Sequence, residues 1–173
     1  MREIHHTSRC LGREFTFEEW TAYLKVHPDA GGEVVHSSPY GFEFNLFDVC
    51  LNPNRPVAVE SSHGWFEVRT ARSDNGRWES GYSAHFGTSR VSNHPCGFVD
   101  CAETGYPSEN EAIRDALRKI REVAEEEIRQ LDRYRDRLPE GSSYATMRKS
   151  LTGVARQIDD EIRRFTFVQL ALF

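Results

Sequence analysis

The chain of 173 residues is 38% hydrophobic, 28% charged and 12% aromatic, the size of one ordinary domain or of one domain with an appendage. Its 11 Phe, 3 Trp and 6 Tyr supply bulky material for a core and exclude wholesale disorder. No run of about 18 apolar residues occurs, and the opening MREIHHTSRC is too polar for a secretory signal, so a soluble, cytoplasmic protein is expected.

The net charge of -5 is unevenly placed: residues 1 to 107 carry 14 acidic and 9 basic side chains, and residues 108 to 173 carry 13 of each. An acidic balance argues against stable binding of bare nucleic acid, which needs a basic face to release counterions. It suits a partner that is itself basic. The four cysteines, at 10, 50, 96 and 101, do not form a disulfide framework in a chain of this length and expected compartment.

Thr16 followed by Glu19 is a capping box, and Phe17, Trp20 and Leu24 share one face of the helix it opens, which Pro28 and Gly31-Gly32 end near residue 27. From Glu33 the period changes from helical to two. YGFEFNLFDVC alternates with Tyr40, Phe42, Phe44 and Leu46 on one side, PVAVE follows the turn Asn52 to Pro56, and WFEVRTA and RWESGYSAHF flank Asp74-Asn75-Gly76 as a hairpin. Four or five sequentially connected strands predict an antiparallel sheet. Residues 87 to 107 read as a long loop with a short strand near Gly97 to Asp100.

Ser108 with Glu111 is a second capping box, after which apolar residues recur at three and four residue steps from Ile113 to Leu138. Pro139-Glu140-Gly141 stops that helix, and Ser143 restarts another with a seam of Tyr144, Met147, Leu151, Val154, Ile158, Ile162 and Phe165. So short a connection forces the two helices antiparallel. The expected fold is therefore α+β: a short N-terminal helix, an antiparallel sheet of four or five strands, and a long C-terminal antiparallel helical hairpin. Residues 1–107 form the acidic, sheet-bearing part and 108–173 the hairpin, packed together as one domain.

Chemistry-bearing motifs are sparse. His94, Cys96 and Cys101 come nearest to a zinc site, but His-x-Cys and Cys-x4-Cys lack the paired CxxC of a strong ligand set, and no His-x-Glu precedes them as a zinc deaminase would require. No metal site is predicted, and no cofactor. Frames such as Gly-x-Ser-x-Gly, His-Glu-x-x-His and GxGxxG do not occur, so no catalytic residue is assigned and binding is expected in place of catalysis. The run Glu125-Glu126-Glu127 offers a negative strip on the long helix. The last nine residues, with Phe165, Phe167, Val168, Leu170 and Phe173, are apolar enough to need covering, either by the protein's own sheet or by a second copy in a homodimer.

Trp78, Gly81, Tyr82 and Phe86, then Tyr106, Pro107, Ser108, Glu111, Ala112, Ile113, Ala116 and Leu117, form a strand, loop and capped helix over about a quarter of the chain. The pattern resembles small accessory proteins carried by bacteriophages and plasmids. The resemblance implies a mobile-element origin and a bacterial host cell. Compact acidic chains of this kind act by binding and blocking a host machine, as anti-CRISPR proteins do, and the chain matches no particular anti-CRISPR family.

The function expected is that of a non-enzymatic inhibitor. It would block a host defence complex, a protein or ribonucleoprotein, by occupying its basic, nucleic-acid-facing surface. Trp65, Glu67, Trp78, Glu79 and Glu125 to Glu127 are the expected contact residues, with no membrane partner. Two other readings are a nucleotide-sequestering protein using Arg69, Arg72 or Arg90 on phosphates, and a zinc enzyme or module using the His94, Cys96 and Cys101 loop.

Overall fold

Thr16 Oγ1 accepts from the Glu19 amide, and the Glu19 carboxylate accepts from the Thr16 amide at 2.8 Å, so the first helix opens on a complete capping box. The computed structural model describes residues 5–8, 13–62, 64–87, 89–93, 105–138 and 143–170. Strands β1 (His5–Ser8) and β2 (Arg13–Thr16) pair antiparallel and lead into α1 (Phe17–Val26). Trp20, Tyr23 and Leu24 pack with buried Phe15, Ala30 and Leu46. The predicted third member of the α1 face, Phe17, is exposed and takes no part in this small cluster, into which Tyr23 packs beside Trp20 and Leu24.

The segment expected as one alternating strand is mostly turn. Its one regular strand is β4 (Glu43–Phe44), which pairs with β3 (His36–Ser37) and, through an isolated bridge, with Cys50. Asn45 ends it: its side-chain oxygen accepts from the Phe47 and Val49 amides and its side-chain nitrogen donates to the Gly31 carbonyl. Phe42, Phe44 and Leu46 are buried as the alternation predicts, but Tyr40 is exposed. Phe42 and Phe44 join Cys50 and Ala71 in a second cluster, apart from Leu46.

The main sheet is a four-stranded antiparallel meander of β5 (Asn54–Ser61), β6 (Gly64–Arg72), β7 (Trp78–Phe86) and β8 (Ser89–Asn93). The β6–β7 loop follows the Asn-Gly signal: Ser73 and Arg77 close it, the Gly76 amide donates to Ser73, and Gly76 takes φ 79°, a geometry that favours glycine. Strand β8 occupies the start of what the sequence suggests is a loop. With Val91 as its single apolar residue it carries no alternation to betray it. The expected strand near Gly97 lies outside the described residues.

One face of the sheet is apolar. Val57, Phe66, Val68, Ala84 and Phe86 pack against Ile113, Ala116, Leu117, Ile120 and Ala124 of α2 (Glu109–Arg133). Ser108 caps α2 by accepting from the Glu111 amide at 3.3 Å. The helix ends earlier than its apolar spacing suggests: after Arg133 the chain tightens into a 3-10 turn, Arg135–Arg137, ahead of Pro139, whose ring disfavours helical geometry in the residue before it. Helix α3 (Tyr144–Leu170) returns antiparallel along α2, as the bonds from Tyr144 and Arg148 to Asp132 and from Arg121 to Asp159 show. Leu151, Val154 and Ile158 join the core shared by α2 and the sheet. The fold is thus α+β, with a short N-terminal helix, a four-stranded antiparallel sheet and a C-terminal helical hairpin.

Polar contacts near the start of α2 bind the sheet-bearing part to the hairpin. The Glu109 carboxylate accepts from Thr70 Oγ1 at 2.6 Å and Asn54 Nδ2 at 2.9 Å. Tyr106 exchanges backbone bonds with Trp78 and donates its hydroxyl to Asp115 at 2.5 Å, with Lys119 Nζ 2.7 Å from the same carboxylate oxygen.

Candidate functional site on the second face of the sheet

Alternation along β6 and β7 sends Phe66, Val68, Ala84 and Phe86 to the helices and leaves Trp65, Glu67, Arg69, Ser83 and His85 on the other face. The register sets their neighbours. Trp65 lies between Glu60 on β5 and His85 on β7, and Glu67 lies between Ala58 and Ser83. Such directly opposed residues stand within about 5.5 Å at their Cβ atoms.

The β5–β6 half of this face is a depression of about 390 Å³, in which Trp65, Glu60 and Glu67 surround Ala58. Trp65 is 36% exposed, and Glu60 and Ala58 are exposed. Beneath them the face is braced. Arg69 Nη2 donates to Ser83 Oγ at 2.9 Å, Ser83 Oγ lies 3.0 Å from Ser92 Oγ, and Arg69 Nε stands 3.5 Å from the Glu67 carboxylate. An indole wall flanked by two carboxylates is suited to a cation: the ring face attracts it electrostatically, by about 0.5–1 kcal/mol when exposed, and a carboxylate can take the hydrogen bonds of an Arg or Lys head group.

The structure separates the expected contact residues. Trp65 and Glu67 share this depression. Glu79 is on the same face but half-buried at the far end, its carboxylate against the Gly105 backbone. Trp78 is also at that end, with its ring edge-on to Phe42 at 6.0 Å and Arg72 nearby. Glu125 and Glu126 belong to α2, with the sheet between them and Trp65. Glu125 pairs with Arg121 at 2.8 Å. Glu126 bonds to Gln130 and Arg129, which hold its carboxyl below the usual range. Glu127 is turned inward and is 9% exposed, so the acidic run is not one continuous strip.

Among residues the sequence did not single out, Glu60 and Ala58 complete the depression. Only the strand register, which fixes what stands opposite Trp65 and Glu67, reveals them. The three arginines considered for phosphate do not converge: Arg72 lies over the Tyr40 ring at 3.9 Å, Arg69 bonds within the sheet, and Arg90 is exposed on β8. His94, Cys96 and Cys101 lie outside the described residues. Among the described residues no group of three His, Cys, Asp or Glu could hold a metal ion, and no helix is long and apolar enough to cross a membrane.

At the C-terminus, α3 runs on to Leu170 and Phe165 is half-buried against the main core. The side chains of Phe167, Val168 and Leu170, and all of Phe173, lie outside what is described. Comparison of the chain with protein families, with curated proteins and with solved structures gives no match.

Proposed function

We propose that this protein acts by stoichiometric binding of a macromolecular partner through the Trp65 depression, and that the partner presents basic side chains to it. The observation that carries this reading is the exposed Trp65 ring sharing one depression with Glu60 and Glu67 on a braced sheet face. Exposed tryptophans are favoured anchors of interfaces, and acidic neighbours speed association with a basic surface and select against acidic ones. A nucleic-acid-handling machine has such a surface. Together with the likeness to phage and plasmid accessory proteins, this favours a bacterial defence complex of the CRISPR kind, whose nucleic-acid cleft the protein would occupy.

Site-specific photo-cross-linking in bacteria that carry such a complex tests the proposal. A cross-linker at Ser62, exposed in the β5–β6 turn at the edge of the depression, is expected to capture a subunit of the complex, whereas one at Thr152, exposed on α3, is not. Equal capture from both positions, or none from position 62, contradicts it.

A further inference from the structure

The two ends of α3 carry apolar features that cannot meet within one copy of the chain. Near its start, where the hairpin closes, Leu131, Leu138, Met147 and Leu151 wall a cavity of about 250 Å³, and the half-exposed Tyr134 lines it with them. At the other end the helix runs to Leu170, and five of the seven residues from 167 to 173 are Phe, Val or Leu. Met147 and Leu170 are 23 residues apart on one helix, about 35 Å at 1.5 Å per residue. Phe173, three residues further on, reaches back at most about 11 Å from the helix end. The tail of a chain therefore cannot fill that chain's own cavity.

We propose that this cavity receives the apolar tail of a second copy, Leu170 to Phe173, in a closed pair where each copy supplies one cavity and one tail. Leucines and an adaptable methionine suit Leu and Phe side chains, and the apolar surface taken from water on both partners drives the contact. Charge sets the direction of the pairing. Residues 144 to 157 of α3 include Arg148, Lys149 and Arg156 and no acidic residue, whereas 158 to 170 include Asp159, Asp160 and Glu161 with two arginines. Lys149 and Arg156 are exposed and form no ion pair among the described residues. Antiparallel α3 helices set the basic half of one copy beside the acidic half of the other and carry each tail toward the partner's cavity; parallel ones would oppose like charges. Because the two contacts are identical, the assembly closes at two copies.

Sedimentation velocity and photo-cross-linking on the full chain test this. At tens of micromolar the native chain is expected to sediment as a dimer. Leu172→Glu with Phe173→Glu in the tail, and separately Tyr134→Glu in the cavity wall, should each give a monomer with the native circular dichroism. For cross-linking, benzoylphenylalanine replaces Phe173, and equal parts of unlabelled and nitrogen-15-labelled chain are refolded together. The cross-links should join chains of different label and fall on the tryptic peptide 138–148, which holds Leu138 and Met147. A native chain that stays monomeric, a dimer that survives the tail substitutions, or cross-links confined to single chains or to other peptides overturns the proposal. The cross-linking result stands whether or not the glutamate variants fold.

Discussion

Ser89 Oγ donates to Glu127 Oε1 across 38 residues of sequence, joining the first residue of β8 to the buried side of α2. Hydrogen bonds to a charged group contribute about 1.5–3 kcal/mol when one partner is removed, because the charge left behind stays buried. Ser89→Ala should therefore lower stability by about 2 kcal/mol in urea denaturation. Pairing it with Glu127→Met, which removes the charge, should recover most of that loss. A Ser89→Ala variant as stable as the native protein contradicts the assignment of this contact.

The sheet and the hairpin share one core, so they should unfold together. Ile158 on α3 is fully buried in that core, and Ile158→Ala should cost about 2–5 kcal/mol. All three tryptophans, Trp20, Trp65 and Trp78, precede residue 107, whereas the long helices follow it. Tryptophan fluorescence and far-ultraviolet circular dichroism should therefore lose stability in step in this variant. A helical signal that weakens while the tryptophan transition stays put would show two separately folding units.

The Tyr106, Asp115 and Lys119 cluster gives the pH dependence a definite sign. Burial, and then the bond to Asp115, push the Tyr106 phenol well above its ordinary value. The folded state thus holds this proton more tightly than the unfolded chain. Its stabilisation is complete below about pH 10 and declines as pH rises beyond that. Burial raises the Asp115 carboxyl, but the bonds from Lys119 and Tyr106 outweigh it and leave the group below its ordinary value. Its contribution is present above about pH 4 and is lost on further acidification. Tyr106→Phe should be less stable than the native protein at pH 7 by about 1.5 kcal/mol, and the gap should shrink above pH 10. A gap independent of pH between 8 and 11 contradicts this account of the cluster.

Much of this architecture is legible in the sequence wherever a local signal and the tertiary fold agree. The Thr16 box, the glycine of the β6–β7 loop and the seam from Leu151 to Ile158 each have a physical cause confined to a few neighbouring residues. Strands β1 and β2 are different. Phe15 is the single apolar residue of the two segments, so pairing, and not alternation, makes them strands. The same holds for β8. Asn45 shows the converse failure, since a correct burial pattern at Phe42, Phe44 and Leu46 passes through a turn that one side chain holds by long and short contacts together.

The candidate site is half legible for the same reason. Trp65 and Glu67 sit two apart on one strand, a spacing that period two reveals. Glu60 joins them only through the β5–β6 register, and Glu127 leaves its acidic neighbours because it faces Ser89, which comes from a strand that composition does not announce.

The central claim, that the Trp65 depression occupies a basic surface used for nucleic acid, is tested most directly by competition. A CRISPR effector complex would be titrated with this protein while fluorescence anisotropy follows its binding of labelled target DNA. The native chain should displace the DNA stoichiometrically. Trp65→Ala should weaken displacement by about 2 kcal/mol or more, as loss of an interface anchor does, and Glu60→Lys with Glu67→Lys should abolish it, with the native effect weakening as salt is raised. Displacement that survives both changes, or no displacement by the native chain, would contradict the account.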